Sequence, residues 1–202
     1  MKKSLLFLVV FILNANVFPQ SSQNLNVSFG LLSPLSGIQG FTTSVGFEKQ
    51  LSATLSIYCY AGNIYWNHDN FLYGNNLSDY TNYTDDNNIY SFYGGTRFLL
   101  STIRTFRIYT DLELGYNYMT YNAYNLIEFT DPLTHQKSYL TDIKSRDKIT
   151  ENLLGFGVGL GVSHQLTEKA GFYLEIKRNQ LFNNIDLSLT RYSLNCGIFY
   201  NI

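Results

Sequence analysis

The chain has 202 residues, of which 45% are hydrophobic and only 14% charged, with a formal net charge of −1. That length suits one domain with a sizeable apolar surface, and a near-neutral chain lacks the basic footprint of a nucleic-acid binder. A charged fraction this far under the usual quarter is low for a water-soluble domain, and is expected where much of the surface meets hydrocarbon.

The first residues, MKKSLLFLVVFILNANVFPQSS, place two lysines before an apolar run from Leu5 to Leu13, then small and polar residues. This is the pattern of a secretory signal peptide, with cleavage expected between Ala15 and Ser22, so residues 1–22 are read as a leader and 23–202 as one domain. No later apolar run approaches the 18 residues of a membrane-spanning helix, so any insertion must be by strands.

The mature sequence opens with Leu25, Val27, Phe29 and Leu31 alternating with Asn26, Ser28 and Gly30, a first strand. A second is expected over Phe41–Lys49 and, after a tight turn near Lys49 and Gln50, a third over Leu51–Gly62. Residues 64–88 lose the alternation and are crowded with Asn, Asp and Tyr, which predicts a long loop. A fourth strand is expected over Ile89–Leu100. The fifth, Phe106–Tyr121, turns Ile108, Leu112, Leu114 and Tyr116 one way and Tyr109, Asp111, Glu113 and Gly115 the other. A second long polar segment, 122–151, follows; ten strands result if it forms a hairpin of its own, although its pieces look too short to span.

The clearest pattern lies in the next hairpin, 151–178. Leu154, Phe156, Val158, Leu160 and Val162 alternate with Gly155, Gly157, Gly159, Gly161 and Ser163, and the alternation returns in Phe172, Leu174 and Ile176 against Tyr173, Glu175 and Lys177. Four alternating glycines on a solvated face would give up strand propensity for nothing. They make sense on the inside of a narrow barrel, where they leave room for large residues on other strands such as Tyr93, Tyr109 and Tyr173. The apolar face then looks outward, toward lipid. A last strand, Asp186–Ile202, brings the count to eight, with both termini at the end of the short turns.

A leader, eight amphipathic strands, alternating short turns and long loops, and a terminal strand SLNCGIFYNI resemble the small outer-membrane β-barrels of Gram-negative bacteria, the OmpX/OmpA-like, eight-stranded porin-like group. The resemblance covers essentially the whole mature chain. It implies an all-β, eight-stranded, antiparallel up-and-down transmembrane barrel with two long extracellular loops. Its partners would be outer-membrane lipid or lipopolysaccharide, the barrel-assembly machinery during insertion, and an extracellular partner met by 64–88 and 122–151. Members usually end in Phe; here Ile202 takes that place, with Phe199 and Tyr200 nearby.

Asp111 and Glu113 share a face at i and i+2, which suits paired acid/base work. The reading preferred here is structural: a lumen charge network of Glu48, Arg97, Arg107, Asp111, Glu113, Glu175, Lys177 and Arg191, with Glu175 facing Arg191 if strands seven and eight reflect about Asn183. Ser163 and His164 point to opposite faces of a strand and cannot form a nucleophile and base pair. His68 and His135 fall in the long loops, and the three histidines lack metal-ligand spacing. No cofactor, metal site or catalytic residue is expected. Cys59 and Cys196 are expected to stay unbridged, because their strands are not neighbours. The leading expectation is a non-enzymatic surface barrel acting in adhesion or envelope integrity; the alternatives are a small pore, a lipid A-modifying enzyme, and a soluble lipocalin-like barrel with its faces inverted.

Overall fold

The computed structural model of the chain describes residues 23–34, 40–69, 82–133, 135, 137–182 and 188–202. The expected leader lies outside them. The described residues form nine strands: β1 Gln23–Pro34, β2 Gly40–Gln50, β3 Leu55–Asp69, β4 Asn82–Ile103, β5 Phe106–Thr130, β6 Lys137–Thr141, β7 Asp147–Gln165, β8 Ala170–Phe182 and β9 Ser188–Asn201. Eight of them, all but β6, pair antiparallel with their chain neighbours, and β1 pairs with β9 from Asn24↔Asn201 to Pro34↔Arg191, so the sheet closes on itself. Closure leaves the barrel wall no free edge, which a strand in hydrocarbon cannot tolerate.

The faces fall as the alternation requires. Leu114, Leu154, Leu160, Ile176 and Ile198 stand out from the wall, while Tyr93, Tyr109, Asp111, Glu113 and Glu175 are buried inside it. A lipocalin would show the reverse, so that arrangement is excluded. Ten positions separate outward Phe106 and Tyr116 on β5, about 34 Å of strand and about 24 Å of height at a tilt near 45°, the thickness of an outer-membrane apolar band. At the lower level His164 lies between Phe106 and Phe172, with ring centroids 4.5 and 5.4 Å away.

Several expected boundaries move. Residues 51–54 are a turn, not strand, with the Ser52 hydroxyl accepting from the backbone N–H of Thr54 and Leu55. More consequentially, strands run far into both segments read as loops: β3 continues to Asp69, β4 begins at Asn82, β5 continues to Thr130 and β7 begins at Asp147. The hairpin in the second segment exists, since β6 pairs with the end of β5 from Leu126↔Thr141 to Thr130↔Lys137, but it lies past the barrel and adds no spanning strand.

These extensions escaped notice because the hydrophobic phase reverses where they begin. Six strands carry an adjacent apolar pair with one member on each face: Leu31–Leu32, Ile64–Tyr65, Ile89–Tyr90, Tyr118–Met119, Leu153–Leu154 and Leu181–Phe182. Leu31, Tyr65, Tyr90, Tyr118, Leu154 and Phe182 are exposed on the outside; Leu32, Ile64, Ile89, Met119, Leu153 and Leu181 are buried inside. Toward the turn end, the outer face is apolar and the inner face polar. Toward the loop end, Thr150 and Asn152 face out while Trp66, Tyr121 and Ala123 join the buried apolar cluster inside. A barrel leaving lipid for water must exchange its faces, and the doublets mark that level.

Cys59 and Cys196 are both unbridged, on the outer parity of strands separated by β1 and β2. A disulfide between them would need Cα atoms within about 7 Å.

Candidate functional site: the barrel lumen

The lumen is built from the inward residues of all eight spanning strands, and the glycines of β7 determine who can meet there. A Cβ at Gly157 would lie 2.6 Å from both Cγ and Oε1 of Glu113, and one at Gly155 would lie 2.8 Å from the Asn117 amide nitrogen and against the Tyr93 hydroxyl. A Cβ at Gly161 or Gly197 would run into the ring of Tyr109 or Tyr173 respectively. The row is the space into which the large residues of the other strands project. Gly159 is looser, with Lys177 Cγ at 3.2 Å and Asp111 Cβ at 3.4 Å.

Two cations organise the centre. Arg97 places Nε and Nη2 each 2.9 Å from the two carboxylate oxygens of Asp111, reaches Glu48 through Nη1 at 2.7 Å, and approaches Glu175 through Nη2 at 3.0 Å. Its planar fork thus serves three carboxylates, and its Cζ lies 3.9 Å from the ring centre of Tyr109. Lys177 donates to Glu113 at 2.7 Å and stands 3.1 Å from Glu175. Glu113 also accepts from the hydroxyls of Tyr58 and Tyr60, both at 2.9 Å, and from the Asn179 amide at 2.6 Å. Four donors occupy the roughly four lone-pair sites of one carboxylate. A buried ion pair is tolerable only when its remaining hydrogen-bonding capacity is met, and here it is.

Six of the eight residues expected in the network, Glu48, Arg97, Asp111, Glu113, Glu175 and Lys177, therefore meet as one cluster. The other two do not join it. Arg107 sits at the turn-end mouth, exposed and without an ion pair among the described residues. Arg191 is inward and buried as expected, but the register overturns its pairing: Glu175 faces Asn195, and Arg191 faces Asn179. Strands β8 and β9 reflect about residue 185 rather than 183, as Phe182↔Ser188 requires. Moving the reflection point by two residues shifts each partner by four positions.

Above the charges lies a layer of amides and hydroxyls. The Ser91 hydroxyl donates to the Asn117 carbonyl at 2.7 Å, and the Asn117 amide donates to the Tyr93 hydroxyl at 3.0 Å. Above these the cluster of Leu32, Ile64, Trp66, Ile89, Met119, Leu153 and Leu181 fills the loop end. Sequence reasoning missed this cluster, although the apolar doublets signal it. The lumen is thus polar and then apolar from turn end to loop end, filled with side chains at both levels.

Among the described residues, neither the Asp111/Glu113 pair nor the Ser163/His164 pair is set up for chemistry. Asp111 and Glu113 are both taken by Arg97, Lys177, tyrosines and an amide. Ser163 lines the mouth, whereas His164 is on the outer wall between two Phe rings. His135 is exposed beyond the barrel, and the side chain of His68 lies outside those described. Among the described residues no cluster of three or more His, Cys, Asp or Glu is placed to hold a metal ion.

Closed wall, apolar exterior and packed polar lumen define a small transmembrane β-barrel of the outer-membrane type. Solved structures agree on the fold. Neisserial surface protein A is similar with a TM-score of 0.57 at 15% identity, the match covering 90% of this chain and 97% of that one. A major outer membrane protein from Thermus thermophilus gives 0.54 at 12% identity, covering 90% and 99%. No protein-family model matches the chain, and no curated protein sequence is similar to it.

Proposed function

We propose that the protein is a non-enzymatic, non-conducting barrel of the outer membrane whose loop end is exposed at the cell surface and acts by contact, in adhesion or envelope integrity. The observation that carries this reading is the length of β4 and β5, 22 and 25 residues, against the roughly 11 a tilted strand needs to cross. The surplus raises a platform above the aromatic level, ending in the β5–β6 hairpin, where Ile127 and Leu133 are exposed to water, as is Ile143 just after β6. Exposed apolar groups on a raised surface favour binding. A solved structure of similar fold is named a surface protein, in keeping with a role at the cell surface.

Cells displaying the barrel should adhere to protein-coated surfaces or to one another more than cells displaying a variant in which a short turn replaces residues 127–141. Equal adherence at equal surface amounts would remove the reading. Orientation is tested separately. Lys144 and Arg146 are exposed beyond the barrel, so trypsin added to intact cells should cut there; cleavage only at Lys169 or Arg104, in the short turns, would place the loop end inside. Asp85 falls in the segment 64–88 expected to be a loop, but it lies in β4 and is held by Asn122 and Tyr124, so the chain there should resist proteases.

The packed lumen makes a second expectation. Eight strands enclose only enough space for side chains, whereas aqueous porins use about sixteen. Purified protein in planar bilayers should show no large, stable single-channel conductance, and observing one would favour the small-pore alternative.

A further inference from the structure

Arg191 is 4% exposed, and its guanidinium has no carboxylate partner among the described residues. Nη2 approaches only the Tyr93 hydroxyl, at 3.5 Å, the Tyr93 ring centre is 5.9 Å away, and Nη1 meets no hydrogen-bond acceptor. Arg97 and Lys177 each have two or more ion pairs. A buried cation left without a counter-charge is costly, of the order of several kcal/mol in general.

Arg191 lines an internal cavity of about 60 Å³ between the charge layer and the apolar cluster. The charged groups on its wall are Arg97, Lys177 and Arg191 against Glu175 alone. Its neutral groups can donate: the Ser193 hydroxyl accepts from the Asn195 amide, which leaves its own proton free, and the Asn179 amide spends one of its two N–H groups on Glu113. Room of this size takes one small ion with a few waters, at roughly 10–15 Å³ per probe-sized occupant.

We propose that this cavity is a binding site for a small monovalent anion of the halide class, with Arg191 as its principal ligand and the hydroxyl and amide donors of Ser193 and Asn179 completing the shell. A monovalent ion is specified because Glu48, Asp111, Glu113 and Glu175 already bring four negative charges to the lumen against three from Arg97, Lys177 and Arg191. A divalent oxyanion would add too much like charge. Entry is from the turn end. A second cavity of about 320 Å³ opens at that mouth and shares Asn26, Arg97 and Tyr173 with the inner one, so those three side chains are what separates them. Among the described residues, Leu32 and Ile64 form the inner cavity's wall toward the loop end.

Bromide is the probe. In crystals of the full barrel soaked in sodium bromide, anomalous diffraction should show a peak within hydrogen-bonding distance of Arg191 Nη1, and Arg191→Gln crystals should lose it. In detergent, the wild-type melting temperature should rise as bromide replaces gluconate at constant ionic strength, and the Arg191→Gln protein should show no such rise. Ordered water alone beside Nη1 in the wild type, or the same bromide response in both proteins, overturns the proposal and leaves Arg191 offsetting the carboxylate surplus at a distance. The wild-type diffraction result decides even if the variant fails to fold.

Discussion

Replacing Arg97 with alanine should be the most damaging single change to this protein, lowering stability by about 3–5 kcal/mol, the usual effect of removing one member of a buried ion network. The change strands Glu48 and Asp111 and leaves Glu175 with Lys177 alone, because all three carboxylates converge on the one guanidinium. It also removes the plate packed on Tyr109. Urea unfolding in detergent micelles, followed by the shift in gel mobility between folded and unfolded barrel, measures it. Arg97→Lys should recover only part of the loss, since an ammonium cannot reproduce the fork to Asp111. Adding Asp111→Asn to Arg97→Ala should cost less than the sum of the two single changes, as expected for direct partners. Glu175→Ala and Arg191→Ala, by contrast, share no contact and should add within about 0.5 kcal/mol. A strong coupling between those two would mean that the β8–β9 register is wrong.

The second large effect concerns the glycine row of β7, where the same chemical change should have very different consequences at neighbouring sites. Gly157→Ala puts a methyl group into the Glu113 carboxylate and disturbs the most heavily hydrogen-bonded acid in the lumen, so a loss of about 1–3 kcal/mol is expected from overpacking alone. Gly157→Val should prevent the barrel from closing. Gly159→Ala requires only a few tenths of an ångström from Lys177 and Asp111, and should be close to neutral, helped by the reduced freedom of the unfolded chain. Outward Leu160→Ala exchanges lipid contact for lipid contact and should leave the lumen intact. If Gly157→Ala and Gly159→Ala proved equally mild, the glycines would not be serving lumen packing.

How much of this was legible beforehand follows from the range of each signal. Alternation acts between residues two apart, so the faces of β5, β7 and β8 were readable from Leu112, Gly157 and Glu175 directly, and with them the outward sign of the apolar face. The same rule misled at the ends of 64–88 and 122–151, where β3, β4, β5 and β7 continue with the alternation reversed in phase. Read as one continuous pattern, Leu153–Leu154 and Leu181–Phe182 look like noise; read as a reversal, they locate the boundary between lipid and water. Arg107 was assigned to the network on parity alone, but it sits at the mouth and does not join the cluster around Arg97 and Lys177.

What the sequence by itself determined is therefore the class of wall: strands, their two faces, a lipid-facing exterior and a lumen crowded by tyrosines and charges against glycines. It also supplied the list from which the network is drawn. Only the tertiary structure decided which charges meet. Arg97 and Glu175 are separated by 78 positions and share no strand pairing, so their 3.0 Å contact depends on closure, tilt and the register of every hairpin between them. A reflection point only two residues further along the chain moved Arg191 from Glu175 to Asn179. Parity survives such an error, because it repeats every two residues; partnership does not, because it depends on absolute height in the barrel.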